Sequence, residues 1–134
     1  MQIYIFGRGK MATMVEKQLP LSSCKKAVSL DEADVAIHFS TGNSVAKNAA
    51  ICKEKGVSIL IGTTGWTQDL PQVKTLFSTG KIAALYAPNC SMGMLAFFHL
   101  VEKLALINHT LDHEPSLLDI HHKEKKDAPS GSSQ

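Results

Sequence analysis

The sequence predicts an α/β fold built on a parallel sheet with flanking helices, and three observations carry that expectation. Short apolar runs alternate along the chain with stretches of helical period, the pattern that βαβ units produce. The first run, Gln2 to Phe6, breaks at once into a glycine loop, Gly7-Arg8-Gly9-Lys10-Met11-Ala12. The later runs also end in glycine or small polar residues, at Gly62-Thr63-Thr64-Gly65 and at Ala87-Pro88-Asn89-Cys90-Ser91. In a parallel sheet those endings share one edge, where open α/β folds bind ligands.

The elements follow in order. The loop at residues 7–12 reads G-x-G-x-x-A, and a helix with Met11, Val15 and Leu19 on one face is expected up to Pro20. Gly7 allows the tight turn, Gly9 lets a pyrophosphate approach the backbone, and Ala12 lets the helix lie close to the strand. Phosphates would rest on the helix N-terminus, with Arg8 and Lys10 adding positive charge. The fold is therefore Rossmann-like. Lys26 to Leu30 is expected as a second strand. Asp31 and Glu32 lie about 20 residues past the glycines, where an acid that reads the adenosine ribose is placed, although a turn or helix start explains them better. NADH and NADPH are not distinguished.

Val35 to Phe39 is the next strand, and Asn43 or Ser44 caps a helix with Val45, Ala49 and Cys52 on one face and Gly56 beyond its end. Val57 to Ile61 is apolar but for Ser58 and largely β-branched, as buried parallel strands are. Trp66 is read as a residue that packs its loop. A helix over Leu70 to Phe77, a strand over Ile82 to Tyr86 and a long helix from Ser91 to about Ile107 follow. That last helix is apolar enough to be core. Asn108 to Pro115 reads as a polar turn, so His109, His113 and His121 share no helix face and no metal site is expected. Leu117 to Ile120 reads as a strand.

Composition narrows the function classes. The chain has 134 residues and a formal net charge of +2, with neither an arginine-rich nor an aromatic-interleaved stripe, so nucleic acid is not an expected partner. Three cysteines without a C-x-x-C pattern argue against a disulfide framework and a thiolate zinc site. The N-terminus lacks the features of a signal peptide, and no apolar run approaches the length of a membrane span. A soluble, cytoplasmic protein is expected.

The densest stretch is His121-His122-Lys123-Glu124-Lys125-Lys126-Asp127-Ala128-Pro129-Ser130-Gly131-Ser132. Paired imidazoles, a nearby ammonium and a Pro-Ser-Gly helix start put proton donors beside backbone N–H groups suited to a carboxylate. Lys123, Lys125 and Lys126 would attract a dicarboxylate.

This string resembles the signature of the dihydrodipicolinate reductase (4-hydroxy-tetrahydrodipicolinate reductase) family, E-x-H-H-x-x-K-x-D-A-P-S-G-T, with Asp119 and Ser132 at the two differing ends. Residues 34–40 resemble the family's D-V-x-I-D-F-T with His38 in place of an acid, read as a strand-end substitution without a catalytic role. Residues 62–66 and 87–93 also follow the family's wording. The glycine loop is one residue shorter than the family's usual G-x-x-G-x-M-G, and a helix and loop normally found between the second and third strands are absent. The resemblance implies an NAD(P)H-dependent oxidoreductase of diaminopimelate and lysine biosynthesis. It implies His121 as general acid/base, Lys125 as proton donor, His122 as a substrate-binding residue, and Gly131 and Ser132 as holders of a carboxylate. Cofactor contacts fall to Gly7, Gly9, Lys10, Met11, Gly62, Thr63, Thr64, Ala87, Pro88, Asn89 and Cys90, for NADH or NADPH.

Residues 1–107 are then the dinucleotide-binding domain, and 108–134 begin a substrate and catalytic domain. In the family that domain continues and builds a homotetramer. A strand near 116–120 would lack sheet partners within these residues, and a carboxylate site on a single turn of helix would be poorly ordered. Two alternatives remain: a nucleotide-binding remnant without turnover, and a different Rossmann dehydrogenase.

Overall fold

A computed structural model of the chain describes residues 1–111, 113–118, 120, 121 and 123. The chain divides into two compact units, Met1–Pro88 and Asn89–Gln134. The first holds a five-stranded sheet of β1 (Gln2–Phe6), β2 (Lys25–Lys26), β3 (Val35–His38), β4 (Ser58–Ile61) and β5 (Ala84–Tyr86). All pairings are parallel, in the order β2-β1-β3-β4-β5. The order reverses between β1 and β3, which makes the carboxyl edge of that pair the switch point.

Register and burial show how the sequence chooses its faces. Tyr4, Ala36 and Ile59 lie across from one another, as do Phe6, His38 and Ile61. Helices α2 (Val45–Glu54) and α3 (Leu70–Leu76) cover that face. Val45, Ala49 and Cys52 are fully buried there, together with Ile61 and Trp66. Each large aliphatic side chain buried in this way contributes about 1.5–3 kcal/mol. Gly56, at φ +71°, turns the chain out of α2 after Lys55, as expected of a C′ glycine. Helix α1 (Lys10–Gln18) places Ala12 in the interior, while Ile3, Leu19 and Ala27 are buried with it.

Several boundaries differ from expectation. The second strand is only Lys25–Lys26, because the chain turns after Ala27 and a 3-10 turn over Leu30–Glu32 tucks Leu30 inside. In the second unit, helix α4 (Met92–Leu111) runs through residues expected to form a polar turn. The Thr110 hydroxyl donates back to the Ile107 carbonyl at 2.6 Å, so this polar group is satisfied within the helix. Although apolar, α4 has no buried residue, whereas the sequence reads it as core. Among the described residues of 116–120, Leu117, Leu118 and Ile120 are exposed and irregular rather than extended in a strand. A strand needs a ladder partner, and every described strand belongs to the first unit's sheet. No described helix is long and apolar enough to cross a membrane.

Candidate functional site

The carboxyl edge of β1, β3 and β4 opens into a cleft of about 320 Å³. Gly9, Lys10 and Met11 line one side, Phe39 and Ser40 the floor, and Gly62, Thr63 and Thr64 the other side. Six residues assigned to the cofactor from sequence thus meet at one place. Gly7 stands beside them, and Ala87 follows β5 with its N–H donating to the Ile61 carbonyl at 2.9 Å. Pro88 closes the first unit. Asn89 and Cys90 open the second unit. There the Asn89 side-chain oxygen accepts from the Ser91 N–H at 2.9 Å, and the Ser91 hydroxyl accepts from Met94 N–H at 3.4 Å. The Asn89 oxygen is thus engaged in the turn that starts α4.

The glycines serve different ends. Gly7 has φ +118°, and a Cβ there would lie 2.1 Å from the Phe39 carbonyl oxygen, so both conformation and space require glycine. A Cβ on Gly9 would meet nothing within 4 Å, which leaves room for a group resting on the loop backbone. Gly62 is one of the residues assigned to the cofactor, but a Cβ there would fall 2.1 Å from the Phe39 ring. The protein's own phenyl group occupies that space, and it forms part of the cleft wall.

The N-terminus of α1 suits an anion. Gly9 is its N-cap and supplies no side-chain cap, and no acid stands in the first turn. Its leading N–H groups therefore keep their partial positive charge for an outside partner. Thr13 is exposed and donates its hydroxyl back to the Gly9 carbonyl at 3.0 Å. The residues present fit a dinucleotide's phosphates at this end of the cleft.

Beneath the cleft lies a buried polar group that the sequence did not reveal. His38 and Thr63 are the buried polar residues among those described. Asn48 Nδ2 lies 3.1 Å from His38 Nε2, and the Ser44 hydroxyl, which donates to the Thr41 carbonyl at 2.7 Å, lies 3.3 Å from it. An amide donor at Nε2 leaves the proton on Nδ1, which donates to Thr63 Oγ1 at 2.7 Å. Thr63 Oγ1 also accepts from Ser40 N–H and donates to the His38 carbonyl, each at 3.1 Å. Desolvation holds the imidazole below its ordinary range, partly offset by a backbone hydrogen bond, so it stays neutral. The histidine is a tie between β3, β4 and α2 and does not face a reactant. Its period-2 alignment with Ala36 is visible in sequence, but its partner Thr63 is not. Trp66 is fully buried and donates Nε1–H to the Thr63 carbonyl at 2.8 Å, holding the other flank of the same residue.

Asp31 and Glu32 have the spacing of a ribose-reading acid, but they stand in a 3-10 turn, the explanation the sequence favours, and not on this edge. Asp31 pairs with Lys55 where β3 and β4 begin, at the opposite end of the sheet from the glycine loop. His121 is exposed in irregular backbone. His122, Lys125, Gly131 and Ser132 lie outside the described residues.

Comparison with known proteins gives this edge its context. Residues 7–90 match the family described as dihydrodipicolinate reductase, N-terminus. A 4-hydroxy-tetrahydrodipicolinate reductase of Anaeromyxobacter sp. (strain Fw109-5) is 39% identical over 78% of this chain and 38% of its own length. Proteins of the same name from Christiangramia forsetii and Methanosarcina barkeri are each 33% identical, over 98% and 96% of this chain and 60% and 51% of theirs. The chain thus spans about half the length of the curated relatives it matches. With the family model covering the cleft-forming loops from Gly7 to Cys90, this chain belongs to the dihydrodipicolinate reductase family, a family of NAD(P)H-dependent reductases.

Proposed function

We propose that this chain carries the nucleotide-binding part, and the first catalytic residues, of a reductase acting on 4-hydroxy-tetrahydrodipicolinate in lysine and diaminopimelate biosynthesis. The observation that carries the reading is the convergence of the glycine loop and the Gly62-Thr63-Thr64 segment on one cleft at the switch point. NADH or NADPH, when bound, supplies the hydride that reduces the cyclic dicarboxylate. The chain's own residues bind, orient and handle protons. Backbone N–H groups at the start of α1 hold phosphates, and Lys10 adds charge. Thr63, fixed from both sides, keeps the 62–64 segment rigid against the nucleotide, and the Thr64 hydroxyl offers a hydrogen bond.

In the same proposal His121 is the general acid/base and Lys125 the proton donor to the reduced ring. His122 binds substrate, and Gly131 and Ser132 present N–H groups to a carboxylate. Imidazole titrates near neutrality, and a lysine ammonium both pairs with a carboxylate and donates to carbon or nitrogen in reach. Residues 1–107 form the dinucleotide-binding domain and 108–134 begin the catalytic one, in a cytoplasmic homotetramer.

The test uses the full-length protein. Nicotinamide fluorescence reports binding of the reduced dinucleotide, and loss of nicotinamide absorbance on adding the dicarboxylate reports turnover. His121→Ala and Lys125→Ala are each expected to lower turnover by about 100-fold or more, the range of general acid–base catalysis, with dinucleotide affinity unchanged. Equal loss of turnover and affinity refutes their catalytic role. Binding without any oxidation would make the protein a nucleotide-binding remnant.

A further inference from the structure

A second groove, of about 500 Å³, lies beyond the glycine loop, where β1 and β2 end against α1. Arg8, Glu16 and Lys26 are the charged residues among its described lining, with Tyr4 and Thr13 beside them, and Val28 follows β2. In dinucleotide-binding sheets this is the place of the adenosine ribose. An acid at the end of the second strand accepts the ribose hydroxyls, whereas a nearby arginine accommodates a 2′-phosphate.

The residues following β2 are Ala27, Val28 and Ser29, so no carboxylate stands at the acid's position. Val28 is 88% exposed and offers no acceptor to a hydroxyl. Asp31 is held at the far end of the sheet by Lys55. Among the described residues Glu16 is the one acid on the groove, and it is already ion-paired with Lys26. Among the described residues Arg8 has no hydrogen-bond or ion-pair partner. Counting the lining charges, Arg8 and Lys26 outnumber Glu16, so the groove favours an anion.

Resting on the reading of the adjacent cleft as a dinucleotide site, we infer that this protein selects NADPH over NADH, with Arg8 as the residue that reads the 2′-phosphate. Arg8 comes from the loop that cradles the pyrophosphate, so one segment senses both phosphate groups. Its planar fork matches two phosphate oxygens. Lys26, on the groove wall, is paired with Glu16, which leaves Arg8 as the groove cation that no other described residue engages.

The test is a fluorescence titration of the full-length protein with NADPH and NADH at fixed, low salt. NADPH is expected to bind at least tenfold tighter, with the gap narrowing as salt rises. Arg8→Ala should cost tenfold or more for NADPH and less than threefold for NADH, and Arg8→Lys should restore part of the loss. Adenosine 2′,5′-bisphosphate should displace NADPH better than 5′-AMP in the wild type and not in Arg8→Ala. Equal or tighter binding of NADH, with Glu16 then serving the ribose hydroxyls, overturns the inference. So does an Arg8→Ala variant that weakens both cofactors alike. If neither dinucleotide binds, the cleft itself has been misread, and the preference falls with it.

Discussion

Gly7 and Gly9 lie two positions apart in one loop, yet replacing each with alanine should damage different properties. At Gly7 the backbone has φ +118°, and the new Cβ would sit 2.1 Å from the Phe39 carbonyl oxygen and 2.7 Å from its carbon. That φ costs an L-residue about 1–3 kcal/mol. The overlap is with backbone, and Phe39 N–H donates to the Phe6 carbonyl at 2.9 Å where β1 and β3 end. Relieving it means moving the joined ends of two inner strands, about another 1–3 kcal/mol on the scale of overpacking. The sum, about 2–6 kcal/mol, is a large share of a domain's stability of roughly 5–15 kcal/mol. At Gly9 the backbone is extended at φ −76° and the Cβ meets open space. Loss of a preferred N-cap residue is offset there by reduced freedom of the unfolded chain, each about 0.5–1 kcal/mol. The sole tryptophan, buried Trp66, reports unfolding in urea. Gly7→Ala should lower the melting temperature by about 10 °C or more, while Gly9→Ala should leave it nearly unchanged. Gly9→Ala should instead weaken dinucleotide binding about tenfold, near 1.4 kcal/mol, because its methyl group projects into the cleft. If Gly7→Ala unfolds within about 0.5 kcal/mol of wild type, the steric account of this loop is wrong.

Two further predictions use the buried side chains. His38 has its folded pKa below the ordinary 6.5, so the folded state resists a proton that the unfolded chain accepts. Stability should therefore hold above pH 6.5 and fall as pH drops from there toward the folded pKa. His38→Phe should flatten that slope at a cost of about 1–3 kcal/mol from the hydrogen bonds lost to Asn48 and Thr63, as urea midpoints measured across the window would show. Burial pushes the Cys52 thiol up to about 11, whereas Cys90 is exposed and Cys24 half-buried. A thiol reagent should modify Cys90 and Cys24 in the native protein and Cys52 only on unfolding, and equal rates at all three would contradict the assigned core.

The sheet was legible because its determinants are local. β1 and its glycine loop, the Val45-Ala49-Cys52 face of α2, and Gly56 beyond it follow from period and from glycine's backbone freedom. The gathering of residues 9–11 and 62–64 at one edge follows from parallel topology alone. What escaped depends on partners distant in sequence. His38 stood out only as a departure from a family acid, and its role rests on Thr63, 25 residues away. Gly62 is glycine for the sake of Phe39, a contact between two strand ends. Asp31 sits in the turn its sequence favours, but its partner Lys55, 24 residues on, was not visible. The long apolar helix α4 has a pattern that signals burial, and no pattern within it names what would cover it.

The sheet also tapers: its inner strands have four or five residues, its flanking strands two and three. Each rim thus offers few unpaired backbone groups onto which a foreign strand could zip. At one rim those positions are Lys25 and Lys26, whose like charges would face their own copies in any side-by-side stacking. Brevity and charge at the margins guard an interior of β-branched strands against growing into a fibre.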